Sequence, residues 1–201
     1  MQYSCCMYMK ISNFAEVING YTFRGAIETV KTRDILVLQA KDITQGENIT
    51  EAEKLTPISF KGTRTASFLQ KDDVLIVSRG MGVGSFRSAI FNLDVSNIIA
   101  SSSLLILRIK KKEVLPEYIS LYFNSTEGQN KILETVAGSY IRAISRKKFE
   151  EEIKIPIPPL ETQHSLIKLN QNIKQQEKIY DRKKELKQEI INATITNLIK
   201  K

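Results

Sequence analysis

From Ile11 to about Lys112 the apolar residues come in short runs broken by polar turns. DILVLQAKDI (34–43), DDVLIVSRG (72–80), SAIFNLD (88–94) and SSLLILRIKK (102–111) are β-branched and leucine-rich, of strand length, and bounded by charged or glycine-containing turns. The period then changes. In LPEYISLYFNSTEGQNKILETV (115–136), Pro116 suits a first helical turn, and Ile119, Tyr122 and Phe123 lie three and four apart. This predicts one helix that Gly128 ends or interrupts. KKFEEEIKIPIPP (147–159) predicts a short helical turn leading into an edge strand, which proline closes because it cannot donate to a ladder. The first eight residues carry no pattern and predict nothing; Met7 and Met9 are possible alternative starts. Strands followed by helices predict an α+β domain over residues 1–159 rather than a doubly wound parallel sheet.

From Leu160 to Lys201 glycine and proline disappear, and Lys, Glu, Gln, Ile and Leu dominate. Leu166, Leu169 and Ile173 are spaced as the seam of a coiled coil, and Ile179, Leu186, Ile190 and Ala193 resume that spacing. One helix over 160–201 is roughly 60 Å long. Its apolar stripe is either folded back on its own domain or covered by another helix. Pro156, Pro158 and Pro159 stiffen the joint in front of it.

The net charge of +8 points to a polyanion such as nucleic acid. The helix carries nine Lys/Arg against five Asp/Glu, and the rest 21 against 17, so the excess is not a basic tail at one end. With 42% hydrophobic and 26% charged residues, no run of bilayer length and no secretory signal, the chain is expected in the cytoplasm. Cys5 and Cys6 are adjacent, lack metal or redox spacing, and are expected as reduced thiols.

In SRGMGVGSFRSAIF (78–91), Ser85 stands where a dinucleotide fingerprint needs its third glycine, and a strand follows instead of a helix. The segment reads as a tight loop between strands. With Arg79, Phe86 and Arg87 beside the glycines, it suits either an exposed hairpin or a DNA groove. Two other clusters, Lys61, Thr63 and Arg64, and Tyr140, Arg142, Arg146, Lys147 and Lys148, suit phosphate contacts or a solvated surface equally. Catalytic sets are missing. His164 is the only histidine, and no serine elbow, P-loop or nuclease carboxylate pair is found.

DVLIVSRG with its glycine loop, PEYISLYFNSTEGQ, and GSYIRAISRKKFEEEIKIPIPPLETQ before a long helix together resemble the specificity subunit of type I restriction-modification systems. The likeness runs in order over about residues 11–201, and GYTFRG (20–25) looks like the family's opening turn. The resemblance implies a target recognition domain over 1–159 that reads half of a bipartite site in double-stranded DNA. It also implies that 160–201 is a spacer helix docking modification methyltransferase subunits. Those subunits hold S-adenosylmethionine, a motor-nuclease restriction subunit can join them, and the specificity subunit itself is no enzyme and has no cofactor. Family members usually carry two recognition domains and two antiparallel helices; this chain has one of each, so a homodimer through an antiparallel coiled coil is expected. The DNA-contacting candidates are Arg24, Lys61, Thr63, Arg64, Arg79, Ser85, Phe86, Arg87, Tyr140, Arg142, Arg146 and Lys148. A free-standing dimeric DNA-binding protein, regulatory or architectural, and a recombination cassette are the competing expectations.

Overall fold

A computed structural model describes residues 6–23, 29, 34–60, 67–137 and 142–199. The chain divides into two units, Met1–Leu160 and Glu161–Lys201. In the first, the strands β1 (Met7–Lys10), β2 (Ala15–Asn19), β3 (Ile35–Leu38), β4 (Asn48–Ile49) and β5 (Thr56–Ile58) precede β6 (Val74–Val77), β7 (Arg79–Gly80), β8 (Ser88–Phe91), β9 (Ile98–Ala100) and β10 (Leu104–Ile109). Helices α1 (Pro116–Asn124) and α2 (Thr126–Leu133) lead to β11 (Val136–Ala137), β12 (Arg142–Ile144), α3 (Arg146–Glu151) and β13 (Lys154–Ile157). The second unit is one helix, α4 (Leu160–Ile199). The class is α+β.

The centre is a five-stranded sheet in the order β2-β10-β6-β8-β4, antiparallel except for β4 on β8. One face supplies Leu75, Val77, Ala89, Phe91, Leu104 and Ile106 to a core shared with Leu36, Leu38, Ile98 and Ala100 of the sheet β5-β3-β9. The other face lies under α1, which packs on β6 and β8 through a buried side that includes Ile119 and Phe123. Covering on both faces explains why VLIV and SAIF are buried at every position instead of alternating. The remaining sheets are β11-β12-β7 and β1-β13.

Three expectations change. The segment over 115–136 is two helices, broken at Ser125 rather than at Gly128. Ser125 caps α2 by accepting from the Gly128 amide at 3.1 Å, and its hydroxyl donates to Tyr122 O at 2.6 Å. Gly128 sits inside α2 because a Cβ there would lie 2.0 Å from Tyr122 O. DDVLIVSRG is not one strand: Val74–Val77 stays in the central sheet, while Arg79–Gly80 leaves it to pair with β12. Finally, the patternless start includes a strand, β1, antiparallel to β13 with Met9 opposite Ile155. A two-stranded ladder with Met7 and Tyr8 exposed buries too little to leave a periodic signature.

An ion pair with a buried carboxylate and a half-buried guanidinium ties the turn before β6 to β10. Arg108 meets Asp73 through two bonds, Nε to Oδ1 at 2.9 Å and Nη2 to Oδ2 at 2.8 Å. Asp73 also accepts from the Gln70 amide at 2.8 Å, and Arg108 donates to Phe68 O at 3.1 Å. The carboxylate is 1% exposed, so these donors replace its lost hydration.

Candidate nucleic-acid interface

The pairing of β7 with β12 joins two of the sequence's basic clusters, with Arg142 opposite Gly80 and Ala143 opposite Arg79. Directly paired residues share a face of a sheet, so Arg79 and Arg142 are on adjacent strands but on opposite faces. Arg79 is exposed and Arg142 half-buried. The basic turn of α3 follows β12 directly. Arg146, Lys147 and Lys148 are exposed there, with Arg146 reaching Glu150 at 3.4 Å. Other cations are matched locally, Lys54 with Glu51 and Lys110 with Glu16. The Lys110 hydrogen bond and charge hold the Glu16 carboxyl below its ordinary range.

The glycine loop between β7 and β8 is braced from inside. Ser85 is half-buried and its hydroxyl accepts from the amides of Met81 and Gly82 at 3.3 and 3.4 Å, so it shapes the turn. Behind it, two amide side chains from the α1–α2 corner clamp residues 84–88. Asn124 bonds both backbone groups of Ser88, at 2.9 and 2.8 Å. Buried Gln129 accepts from the Gly84 amide at 2.9 Å and donates to Phe86 O and Phe123 O at 2.9 and 2.6 Å. Gly84 has φ +82°, the left-handed region that suits glycine. The tip carries Met81 and Val83, 67% and 62% exposed.

Two of the DNA-contacting candidates are wholly or partly buried. Phe86 is 0% exposed, one of the largest side chains of the core, and has no surface left for DNA. Arg87 is half-buried and turned inward, its Nη2 donating to Ala40 O at 3.1 Å and its buried Nε meeting no hydrogen-bond partner among the described residues. Both belong to the segment in which the loop re-enters the sheet, which pulls them under the surface. Arg79, Arg146 and Lys148 stay accessible. Arg24, Lys61, Thr63, Arg64 and Tyr140 lie outside the described residues. Met81 and Val83 escaped the sequence reading because isolated apolar residues between glycines look like ordinary loop filling. Gln129 escaped it because one glutamine in a polar helix gives no sign of burial.

Helix α4 runs 40 residues with a large apolar surface in the open. The seven seam positions read from the sequence do not share a face of a straight helix. The six-residue step from Ile173 to Ile179 falls about 120° short of two turns. Leu166, Leu169 and Ile173 instead continue through Tyr180, Ile191 and Ile195, while Ile179, Leu186, Ile190 and Ala193 form a second stripe about 120° away. Arg182 pairs with Glu185 at 3.0 Å and Glu189 at 3.5 Å on the side opposite the first stripe.

No helix of the described residues is long and apolar enough to cross a membrane, and among them no cluster of three His, Cys, Asp or Glu is placed to hold a metal. No curated protein matches the sequence. Among solved structures, one described as the structural basis of complex assembly and conformational transition of the type I R-M system matches with TM-score 0.61 at 18% identity, over 85% of this chain and 38% of that one. The HsdS subunit from Thermoanaerobacter tengcongensis matches with TM-score 0.57 at 17% identity, over 85% and 37%. The type I S subunit from M. genitalium matches with TM-score 0.54 at 12% identity, over 84% and 39%. These likenesses establish the fold, and this chain spans less than two fifths of each of those proteins. The family model for the type I restriction modification DNA specificity domain matches residues 5–201, nearly the whole sequence, and the chain belongs to that family.

Proposed function

We propose that this chain is the DNA-recognition subunit of a type I restriction-modification complex, reading one half of a bipartite target and pairing with a second copy through α4. In this reading it performs no chemistry: methyl transfer and S-adenosylmethionine belong to methyltransferase subunits docked on it, with a motor-nuclease subunit as a further partner. It works in the cytoplasm, where its DNA is. Residues 1–159 form the reading domain and 160–201 the spacer.

The observation that carries the pairing is the self-complementarity of the first α4 stripe. Its apolar residues are interrupted by Glu177, Lys184 and Lys187, all on the same side of a straight helix. Two such helices laid antiparallel about Tyr180 put Leu169 against Ile191 of the second copy, and bring Leu166 within one position of Ile195 and Glu177 within one position of Lys184. A parallel pair sets Glu177 on Glu177 and Lys184 on Lys184. Opposite charges thus favour the antiparallel arrangement, whose two-fold symmetry presents two reading domains to inverted half-sites. The second stripe, with Leu186 and Ile190, remains for another subunit.

Co-expression with a type I methyltransferase subunit, followed by light scattering and methylation of duplex DNA, tests this. The expected result is a stable complex with two copies of this chain and adenine methylation at a symmetric site. A chain that stays monomeric and ignores the methyltransferase overturns the reading.

A further inference from the structure

Each described glycine except one has an internal reason to be glycine. A Cβ at Gly20 would lie 1.9 Å from Ser101 O, at Gly80 2.3 Å from Ser85 Cβ, and at Gly128 2.0 Å from Tyr122 O. Gly46 and Gly84 have φ of +71° and +82°. Gly82 has neither requirement: among the described residues a Cβ there meets nothing within 4 Å, and its φ is not in the left-handed region. The fold would accept alanine at this position, and in a loop alanine lowers the entropy of the unfolded chain. A glycine that the fold does not need suits a position where something from outside comes close to the backbone.

The neighbours of Gly82 have the same character. Met81 and Val83 are the apolar tip of a turn that Ser85 and Gln129 hold in shape, so their exposure comes with a braced backbone. Arg79 is exposed at the foot of the turn, on a chain of net charge +8. A cation at the base, a bare backbone at the apex and two apolar side chains around it match the profile of a duplex groove. There, phosphates take the cation, and base edges with their methyl groups take apolar contacts.

We propose that the turn Met81–Gly84 enters a groove of the target DNA, with Gly82 admitting the close approach, Met81 and Val83 touching base edges, and Arg79 holding a phosphate. This rests on the DNA-recognition reading above and assigns it a point of contact.

The test uses the full chain with its methyltransferase partner and selection of bound duplexes from a random-sequence library. Gly82→Ala is expected to keep the wild-type melting temperature within about 2 °C and to lose at least tenfold in affinity for the selected sequence. Met81→Ser with Val83→Ser is expected to keep binding DNA but to select a relaxed sequence at one or more positions. Gly82→Ala binding like wild type overturns the proposal, as does its unfolding, which would give the glycine an internal role. Loss of methyltransferase association with DNA binding intact also overturns it, by making the turn a protein contact. A wild-type complex that enriches no sequence refutes instead the recognition reading on which the proposal stands.

Discussion

The Gln129 side-chain oxygen accepts a hydrogen bond from the Gly84 amide at 2.9 Å, joining helix α2 to a loop 45 residues earlier in the chain. The same side chain donates to Phe86 O and Phe123 O, so one buried amide satisfies three backbone groups of the loop and the helix corner. Gln129→Leu keeps the volume and removes all three bonds. The expected loss is about 2–4 kcal/mol in urea denaturation, since two carbonyls and an amide lose their partner. DNA selectivity is expected to fall at temperatures where the variant is still folded. A variant as stable and selective as wild type would sink this account of the loop.

Charge exchange on α4 tests the antiparallel pairing. Glu177→Lys and Lys184→Glu each turn two cross-helix attractions into repulsions, expected to weaken the dimer by about 1–2 kcal/mol in total. The double variant restores opposite charges and should dimerise like wild type in sedimentation equilibrium. Single variants without effect would favour a parallel pair, in which Glu177 and Lys184 never meet.

Arg108→Ala leaves the Asp73 carboxylate, 1% exposed, without its cation. A loss of about 3–5 kcal/mol is expected. Arg108→Lys should recover only part of it, because an ammonium cannot form the two parallel bonds seen here. Equal stability of the lysine variant and wild type would show that the fork geometry contributes nothing.

Burial pushes the Tyr122 phenol up to about 12 and that of Tyr118 upward as well. The Tyr118 hydroxyl donates to Pro156 O at 2.6 Å, in the strand just before the α4 joint. A raised value in the folded state means the fold holds these protons more tightly than the unfolded chain. The resulting stability is complete below about pH 10, the ordinary tyrosine value, and is lost as pH rises through the folded values. Alkaline unfolding is therefore expected to begin above about pH 10. Replacing both tyrosines by phenylalanine should leave the phenolate absorbance of the still-folded protein unchanged. A drop in that absorbance before circular dichroism changes would show that they ionise in the native state.

The order and type of the main elements could be read from the chain, because each leaves a local mark: apolar runs of strand length, the helical period behind Pro116, the prolines before Leu160 and the uninterrupted helix after them. The family resemblance was a separate signal, carried by the wording of PEYISLYFNSTEGQ and IPIPPLETQ and their order along the chain. Which side chains reach the surface could not be read from the chain. Phe86 and Arg87 stand in a basic, glycine-rich stretch like Arg79, yet the loop's re-entry into the central sheet buries the first and turns the second toward Ala40. The strand at Met7 depends on a partner about 150 residues away, Met7 lying opposite Ile157. Local composition and period thus determined the type and order of most elements and their class, while the family came from the resemblance of whole segments and the match of the family model over residues 5–201. Tertiary packing alone decided the clamp on the glycine loop, the accessible arginines and the glycine that the fold does not need, because these depend on contacts between segments far apart in the chain.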